Sequence, residues 1–426
     1  MSRDLNSLLQ KEPVGGVSMD VLTSVKGQTG LPRYFSAAFD LASRMQHGRV
    51  DFLLPDGRRF RVEAPGAGPV AEVHVHDPDV FARLIREGDV GFCEAYMEGG
   101  WSTPDLQAVM DLAQGGNNDA LDRMIGVTLV RAFERLRFWL QSNSKRQAKK
   151  NIAYHYDLGN DFYRLWLDDS MTYSSALFRT GQESLETAQD QKYASMVDQM
   201  GAKPGDHVLE IGCGWGGFIE EAALAGCHVT GLTLSREQQK FAEERLAQQG
   251  LVSEIRFQDY RDCKEQFDGI ASIEMFEAVG ENHWEQYFKT IAASLKPGGK
   301  ACIQTIVIAE ELFERYRSST DFIQQYVFPG GMLPSKSAFK EYAARAGLQI
   351  DDEFAFGSDY AKTLCIWYES FNRQLDQVSQ LGFDEAFVRL WNFYLMYCAA
   401  GFSERNIDVV QFTLVHDHIS GDSLRP

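Results

Sequence analysis

A predicted strand, a glycine-rich turn and a predicted helix follow one another at residues 207–224, and this order constrains the fold more than any other feature. The stretch VLEIGCGWGG at residues 208–217 contains the turn, and helix-forming residues follow at 218–223. Glycine lets a backbone turn tightly and approach a ligand closely, and the first turn of a helix has unpaired N–H groups. The segment predicts a cofactor-binding loop, although taken alone it also fits a dinucleotide site or a plain tight turn.

Strand-like apolar runs alternate with amphipathic stretches of helix length from residue 200 onward. The runs are residues 207–211, 229–232, 255–257, 269–273 and 300–308. This alternation is typical of an α/β fold, and it predicts an open, Rossmann-like sheet with helices on both faces.

Two details favour S-adenosylmethionine over a nicotinamide dinucleotide as the cofactor. Glu210 lies in the first strand, where it would repel a pyrophosphate but can balance the positive charges of S-adenosylmethionine. The second strand ends in GLTLS at residues 231–235, without the acid that a dinucleotide site places about 20 residues on for the ribose. Thr233 and Gln238 would then hold the ribose.

The bulk composition excludes several classes of partner. The formal net charge of -18 argues against nucleic acid, whose binding depends on many Lys and Arg contacts to phosphates. The seven cysteines are scattered without a C-x-x-C pair, which favours neither disulfides nor a metal site. Without a signal-like or membrane-spanning apolar run, we expect a cytoplasmic protein whose membrane contact is peripheral.

The chain divides into three predicted regions. Residues 1–120 contain alternating apolar segments around the turn at 55–57 and predict a small α+β domain, and residues 151–426 hold the catalytic domain. Between them, residues 121–150 form a helical linker that is strongly basic from 131 to 150. This linker is either a solvated connecting helix or a foothold on anionic lipid. An aromatic insertion at 310–335 predicts a helical lid, with a plain surface helix pair as the alternative.

Several motifs in this order resemble the cyclopropane-fatty-acyl-phospholipid synthase family of lipid C-methyltransferases, some of whose members make methyl-branched fatty acids. The motifs are AYHYDLGNDFY at 153–163, MTYSSA at 171–176, the glycine loop, GLTLS at 231–235, FEAVG at 276–280, FPGG at 328–331 and YAKTL at 360–364. The resemblance implies a class I methyltransferase sheet. Residues 1–120, chiefly through EAYMEGGW at 94–101, resemble the N-terminal lipid-handling domain of longer members.

The resemblance also implies where S-adenosylmethionine is held. It places Tyr173 and Ser174 at the methionine carboxylate, and Gly212 and Gly214 under the sulfonium. The remaining expected contacts, at the ribose and then near the adenine, are Thr233, Leu234, Gln238, Tyr260 and Arg261.

The chemistry implied by the family is methyl transfer to a double bond in an acyl chain, which leaves a carbocation that then loses a proton. In cyclopropane-forming relatives a bicarbonate ion is the base, held by Glu, Cys, His, Ile and Tyr. The matching positions are Glu277, Ser175, Gln304, Ile306 and Tyr360. Ser and Gln keep hydrogen-bonding ability, so bicarbonate binding stays open, but Gln cannot shuttle a proton as His can.

We therefore expect the cation to be resolved by a hydride shift or by deprotonation at a neighbouring carbon, which gives a methyl- or methylene-branched chain instead of a ring. The expected partners are membrane phospholipids with unsaturated acyl chains, and a homodimer and a reductase for a methylene product stay open. Two alternatives remain: a methyltransferase of this fold acting on a small amine or phenol, and a catalytically silent lipid-binding protein.

Overall fold

A computed structural model describes residues 21–115, except the side chain of Arg86, and residues 158–416. The predicted linker 121–150, with its basic part 131–150, and residues 153–157 of the AYHYDLGNDFY motif lie outside the described residues. The described residues form two compact units. The first comprises 21–115, Ser319–Gln325 and Leu364–Asn406, and the second comprises the rest.

The strands belong to two separate sheets. In chain order they are β1 Val21–Leu22, β2 His47–Leu53, β3 Arg59–Glu63, β4 Gly66–Val75, β5 Trp101–Ser102, β6 His207–Ile211, β7 His228–Thr233, β8 Glu254–Phe257, β9 Phe267–Ile273, β10 Leu295–Ile308, β11 Leu348–Ala355 and β12 Ile407–His416.

The α-helices range from one turn to five turns in length. In chain order they are α1 Phe35–Ala42, α2 Val80–Met97, α3 Leu106–Gln114, α4 Asn160–Tyr163, α5 Leu185–Met200, α6 Gly217–Leu224, α7 Arg236–Gln248, α8 Trp284–Ser294, α9 Glu310–Arg317, α10 Lys336–Arg345, α11 Gly357–Arg373, α12 Leu375–Gln380 and α13 Glu385–Ser403. In the parts of the chain that the structure describes, no helix has the length and apolar character needed to cross a membrane.

The first unit contains a five-stranded sheet in the order β1-β3-β2-β4-β5. The predicted turn at 55–57 is confirmed: it joins β2 to β3 as an antiparallel hairpin, and Gly57 has a φ of 89°. Phe35 of α1 packs edge-on against Phe60 of β3, with ring centroids 4.9 Å apart, and both are fully buried. Helix α13 packs on α2 and α3 within this unit.

The boundaries 1–120, 121–150 and 151–426 remain a prediction. The compact first unit is discontinuous in sequence, because it includes Leu364–Asn406 in addition to its N-terminal part. The physical reason is the apolar face of α13: Trp391, Phe393 and Leu395 are buried in a helix whose contacts include α2 and α3.

The second unit is built on a seven-stranded sheet in the order β11-β12-β10-β9-β6-β7-β8. The strands from β10 to β8 pair in parallel, whereas β12 pairs antiparallel with both β10 and β11. The strand order reverses direction at β6 and β9, because β7 and β8 lie on one side and β10 on the other. The predicted α/β fold is confirmed, and each predicted strand run lies within β6 to β10.

A large apolar core lies on one face of the second unit's sheet and contains Phe276, Trp284, Phe288 and Phe339. The ring of Phe339 stacks on Phe412 of β12 at 4.2 Å and is fully buried. Since aromatic side chains bury large areas, this cluster contributes strongly to the stability of the sheet that carries the loops described below.

We expect Phe339→Ala to lower the free energy of unfolding by about 3–5 kcal/mol, because it removes a buried ring and leaves a cavity. Chemical denaturation monitored by circular dichroism measures this change. The matched control is Val252→Ala, since Val252 is 85% exposed and its truncation should cost less than about 0.5 kcal/mol. Equal losses in the two variants would contradict the assignment of Phe339 to the core.

Candidate active site

The candidate site lies at the carboxyl ends of β6 and β9, where the strand order reverses. In open α/β sheets ligands bind at such a switch point, because the loops on either side diverge and leave a crevice. The glycine loop follows β6, and Glu274 and Glu277 follow β9.

The glycine loop needs glycine at its first position. Gly212 has a φ of 83°, which strains residues that carry a side chain, and a Cβ there would lie 2.8 Å from Cγ of Met275. Its amide and that of Cys213 donate to the carbonyl of Leu232 at 3.0 and 2.9 Å, so the loop is held against β7. Gly214 has a φ of 50° and no atom within 4 Å of its Cβ position, which leaves space above the loop.

Two buried groups of opposite charge beside this loop have unpaired atoms. Oε2 of Glu210 and Nζ of Lys192, which belongs to α5, are buried and accept or donate no hydrogen bond within the described residues. Burial raises the pKa of Glu210 to about 8, although Lys192 opposes this rise. Burial lowers the pKa of Lys192 to about 7, against the pull of the Glu274 and Glu210 carboxylates. A buried carboxyl with an unpaired oxygen suits a cationic ligand.

The residues expected at the ribose lie together at the end of β7. The hydroxyl of Thr233 donates to Oε1 of Gln238 at 2.9 Å, and both side chains are buried. Ser235 caps α7 by accepting a hydrogen bond from the Gln238 amide, which orients the first turn of this helix. Leu234 lies between these polar residues and is half-buried.

The residues expected near the adenine lie in a short 3₁₀ turn, Tyr260–Asp262, that follows β8. Arg261 is buried, and its guanidinium donates to both carboxylate oxygens of Asp259 at 2.8 and 2.6 Å. This bidentate pair fixes the turn, so the Arg261 side chain is largely engaged within the protein. The ring of Tyr260 packs edge-on against Tyr287 at 5.6 Å.

Tyr173 and Ser174, which are expected at the methionine carboxylate of the cofactor, have different surroundings. Tyr173 packs between Tyr163 and Trp166, with ring centroids 5.4 and 5.5 Å away. The hydroxyl of Ser174 instead donates to Oε1 of Glu274 at 2.7 Å. The side chain of Ser174 is thereby directed toward the carboxylate described next.

Glu274, which the sequence analysis missed, is the centre of the polar cluster. Its Oε2 accepts a hydrogen bond from the Tyr360 hydroxyl at 2.6 Å. The donors to its Oε1 are the Ser174 hydroxyl at 2.7 Å, the Ser175 amide at 3.0 Å and Nε2 of Gln304 at 2.8 Å. Hydrogen bonds to a charged acceptor are roughly twice as strong as neutral ones, so this carboxylate is firmly held.

A line of amides orients Gln304 toward Glu274. Gln304 on β10 and Gln411 on β12 are cross-strand partners, and Nε2 of Gln411 donates to Oε1 of Gln304 at 3.0 Å. Oε1 of Gln411 in turn accepts from the Ser195 hydroxyl at 3.1 Å and from Nε2 of Gln199. Since its oxygen is occupied, the amide group of Gln304 presents Nε2 to the site.

Glu277 and Ile306, both expected catalytic residues, form a separate pair. Oε1 of Glu277 accepts from the Ile306 amide and from the Thr305 hydroxyl, the latter at 3.0 Å. Its Oε2 is buried and has no hydrogen-bond partner within the described residues. Burial, and then the nearby Glu274 carboxylate, raises the pKa of Glu277 to about 8.

The structure thus brings Ser175, Gln304 and Tyr360 together on Glu274, and Ile306 on Glu277. Sequence reasoning missed Glu274, Lys192 and Asp259. One signal pointed to Glu274: an acid directly after an apolar run, at the carboxyl end of a strand. Lys192 offered no such signal, because nothing in a helical sequence distinguishes a buried lysine from a solvated one.

Two aromatic residues near the motifs belong to the core and not to the site. Phe276 and Trp284 are fully buried and stack on one another with ring centroids 5.3 Å apart. Phe276 begins the turn Phe276–Ala278, which carries Glu277, so its packing on Trp284 anchors this turn in the core.

Comparison with known proteins shows the family to which this chain belongs. The family model for mycolic acid cyclopropane synthetase matches residues 143–412. Tuberculostearic acid methyltransferase of Mycobacterium tuberculosis is 39% identical over 80% of this chain and 83% of its own length. Cyclopropane-fatty-acyl-phospholipid synthase of Escherichia coli is 37% identical over 83% of this chain and 90% of its own length.

Solved structures also match this chain over more than half of its length. A crystal structure of mycolic acid cyclopropane synthase CmaA1 complexed with SAH and CTAB is 31% identical, with a TM-score of 0.59. It covers 62% of this chain and 97% of that one. The cyclopropane synthase MmaA2 from Mycobacterium tuberculosis has the same TM-score at 29% identity.

The sheet order, the glycine loop and these matches define a class I methyltransferase that uses S-adenosylmethionine. Within that class, the chain belongs to the mycolic acid cyclopropane synthetase family.

We expect the affinity for S-adenosylmethionine to rise with pH. The carboxyl of Glu210, with a pKa of about 8, holds its proton at pH 6 and must release it to face a cation. Binding should therefore tighten by up to about tenfold per pH unit and level off above pH 8. Titration calorimetry from pH 6 to 9 measures this slope.

The diagnostic quantity is the difference between wild type and Glu210→Gln, since Lys192 and the ligand's own amine titrate in both. The variant should bind more weakly and lose the Glu210 part of the slope. Glu285→Gln is the control, because Glu285 is half-exposed and paired with Lys289. Identical slopes in wild type and Glu210→Gln would contradict the role of Glu210.

Proposed function

We propose that this protein transfers a methyl group from S-adenosylmethionine to a double bond in an unsaturated acyl chain of a membrane phospholipid. The observation that carries the proposal is the pair of carboxylates, Glu274 and Glu277, beside the glycine loop at the switch point of the sheet. S-adenosylmethionine supplies an electrophilic methyl group. The names of two relatives, tuberculostearic acid methyltransferase and cyclopropane-fatty-acyl-phospholipid synthase, support this substrate class.

The proposed role of the carboxylates is electrostatic. Transfer to an alkene leaves a positive charge on carbon, and a fixed negative charge in a water-poor site stabilises that cation more than it could in water. Glu277 fits this role once it is ionised, because its Oε2 is buried without a partner in the described residues. Exclusion of water also protects the cation from capture.

The donors expected to hold bicarbonate do not fit it in their present arrangement. The Ser175 amide, Nε2 of Gln304 and the Tyr360 hydroxyl all donate to Glu274. A further anion would also lie beside the Glu274 carboxylate, and like charges at close range repel in a site of low dielectric constant.

We propose a methyl- or methylene-branched product in preference to a ring. The support is chemical: Gln304 is neutral at every pH, and its amide is oriented by Gln411, so this position cannot carry a proton away from the cation. A methylene product would need a separate reductase to become a methyl branch.

The proposed contact with the bilayer is peripheral and uses the basic segment 131–150, which lies outside the described residues. Each Lys or Arg near an anionic surface contributes on the order of 1 kcal/mol. A homodimer is compatible with this proposal, and light scattering of the purified protein tests it.

The substrate proposal predicts that S-adenosylhomocysteine forms with phosphatidylglycerol vesicles that carry oleoyl chains and not with vesicles that carry palmitoyl chains. The physical reason is that only the former contain an alkene. Liquid chromatography of S-adenosylhomocysteine measures turnover. Methylation of small amines without vesicles would favour the small-molecule methyltransferase, and failure to bind S-adenosylmethionine in calorimetry would favour the silent lipid-binding protein.

The product proposal predicts vinylidene or methyl-branch signals in the proton NMR spectrum of lipids treated with the enzyme. Mass alone does not separate a ring from a methylene branch, because each adds one CH₂. The control is the same lipid incubated without S-adenosylmethionine. If upfield cyclopropane protons were the sole new signals, the branched product would be wrong.

A further inference from the structure

The polar cluster contains a carboxylate of the chain itself at the position where the donors converge. We propose that Glu274 is a catalytic residue, and that its carboxylate faces the carbocation and accepts the proton that a bicarbonate ion accepts in cyclopropane-forming relatives. The inference rests on the proposed function, since it concerns the same cation.

The hydrogen-bond donors around Glu274 leave its carboxylate able to accept a proton. Two partners of Oε1, the Ser175 amide and Nε2 of Gln304, can only donate, so this oxygen acts as an acceptor. Oε2 accepts from Tyr360 alone among the described residues. A carboxylate has about four lone-pair positions, two on each oxygen, so Oε2 keeps one that is free to take a proton.

The backbone of Glu274 is strained. Glu274 has a φ of 48°, a left-handed conformation that costs a residue with a side chain roughly 1–2 kcal/mol. Its amide donates to the carbonyl of Gln304 at 2.8 Å, which holds the strained residue at the end of β9. Strained conformations concentrate at functional sites, and a glycine would relieve this one. We attribute the glutamate to its carboxylate.

Glu274 is also close to the other charged groups of the site. The carboxylates of Glu274 and Glu210 both act to raise the pKa of Lys192, and the carboxylate of Glu274 also raises the pKa of Glu277. Glu274 is thus close enough to Lys192 and to Glu277 to affect the pKa of each, and it follows β9, which pairs with β6, the strand that carries Glu210 and leads into the glycine loop. A carbocation formed beside the cofactor would be close to Oε2.

One alkene carbon gains the methyl group through its π electron pair, while the C–S pair stays on sulfur and S-adenosylhomocysteine leaves. The other alkene carbon becomes the cation. A hydride then shifts from the methyl-bearing carbon to this cation, so the positive charge moves to the methyl-bearing carbon. A C–H bond of the new methyl group breaks, its electron pair forms the C=C bond of a methylene branch, and its proton moves to Oε2 of Glu274. The carboxyl returns this proton to water after the product leaves.

The test compares wild type with three variants in buffer freed of carbon dioxide, with and without added bicarbonate, on oleoyl phosphatidylglycerol vesicles. Glu274→Gln keeps the shape but removes the charge. Glu274→Gly removes the carboxylate that accepts from Ser175, Gln304 and Tyr360, and it relieves the φ of 48°. Glu285→Gln is the matched loss of a remote carboxylate.

We expect wild type and Glu285→Gln to turn over equally with and without bicarbonate. Glu274→Gln should lose about 10²-fold or more in rate in both buffers, the usual contribution of a general base. Glu274→Gly should lose as much without bicarbonate and recover part of its rate with it. All four proteins should bind S-adenosylmethionine in calorimetry with similar affinity, which separates a lost base from a misfolded site.

Two results would overturn the inference alone: wild-type turnover that depends on added bicarbonate, or Glu274→Gln as fast as wild type. In both cases methyl transfer to the lipid still occurs, so the proposed function stands. If wild type binds S-adenosylmethionine but forms no S-adenosylhomocysteine with either buffer, the proposed function fails and the inference fails with it.

Discussion

The second unit depends on the hydrogen bonds that converge on one carboxylate. Glu274 is bound by Ser174, Gln304 and Tyr360, which lie 100, 30 and 86 residues away along the chain. Each donor belongs to a different segment, so the loop before α5, strand β10 and helix α11 must all be in place for the cluster to form. Charge-assisted hydrogen bonds are strong, and a buried carboxylate without partners is costly. The cluster therefore favours the one arrangement of these three segments in which all the donors reach Glu274.

The acidic residues of the site outnumber the basic ones, which suits a cationic ligand. Glu210, Glu274 and Glu277 outnumber Lys192, and burial raises the pKa of Glu210 and of Glu277 to about 8, so each of these two would bring an excess negative charge into the site when it ionises. A sulfonium ion and a carbocation are both positive, and both would offset that excess. The protein therefore holds two carboxyl groups in surroundings that disfavour their charged form, as preorganised sites do.

The topology explains why these groups meet. Strands β6 and β9 are adjacent, yet their connections leave in opposite directions, so the glycine loop and the turn with Glu274 border the same crevice. The line Gln199, Gln411, Gln304 adds a contribution from β12, which pairs antiparallel with β10. An antiparallel strand late in the chain thereby sets the orientation of an amide in the site.

The sequence by itself determined the cofactor loop, the alternation of strands and helices, and the strands β6 to β10. It could do so because glycine placement and apolar periodicity are local properties. Motif resemblance also predicted Ser175, Gln304 and Tyr360 as residues of the site, and all three lie on Glu274. Strands β11 and β12 were not predicted, since Leu348–Ala355 carries several acids and Ile407–His416 lies beyond a long helical region. Only the tertiary structure decided that these residues surround Glu274, that Lys192 is buried between carboxylates, and that Arg261 is engaged by Asp259. Those facts depend on contacts between segments distant in sequence, and no local pattern encodes which buried charge faces which.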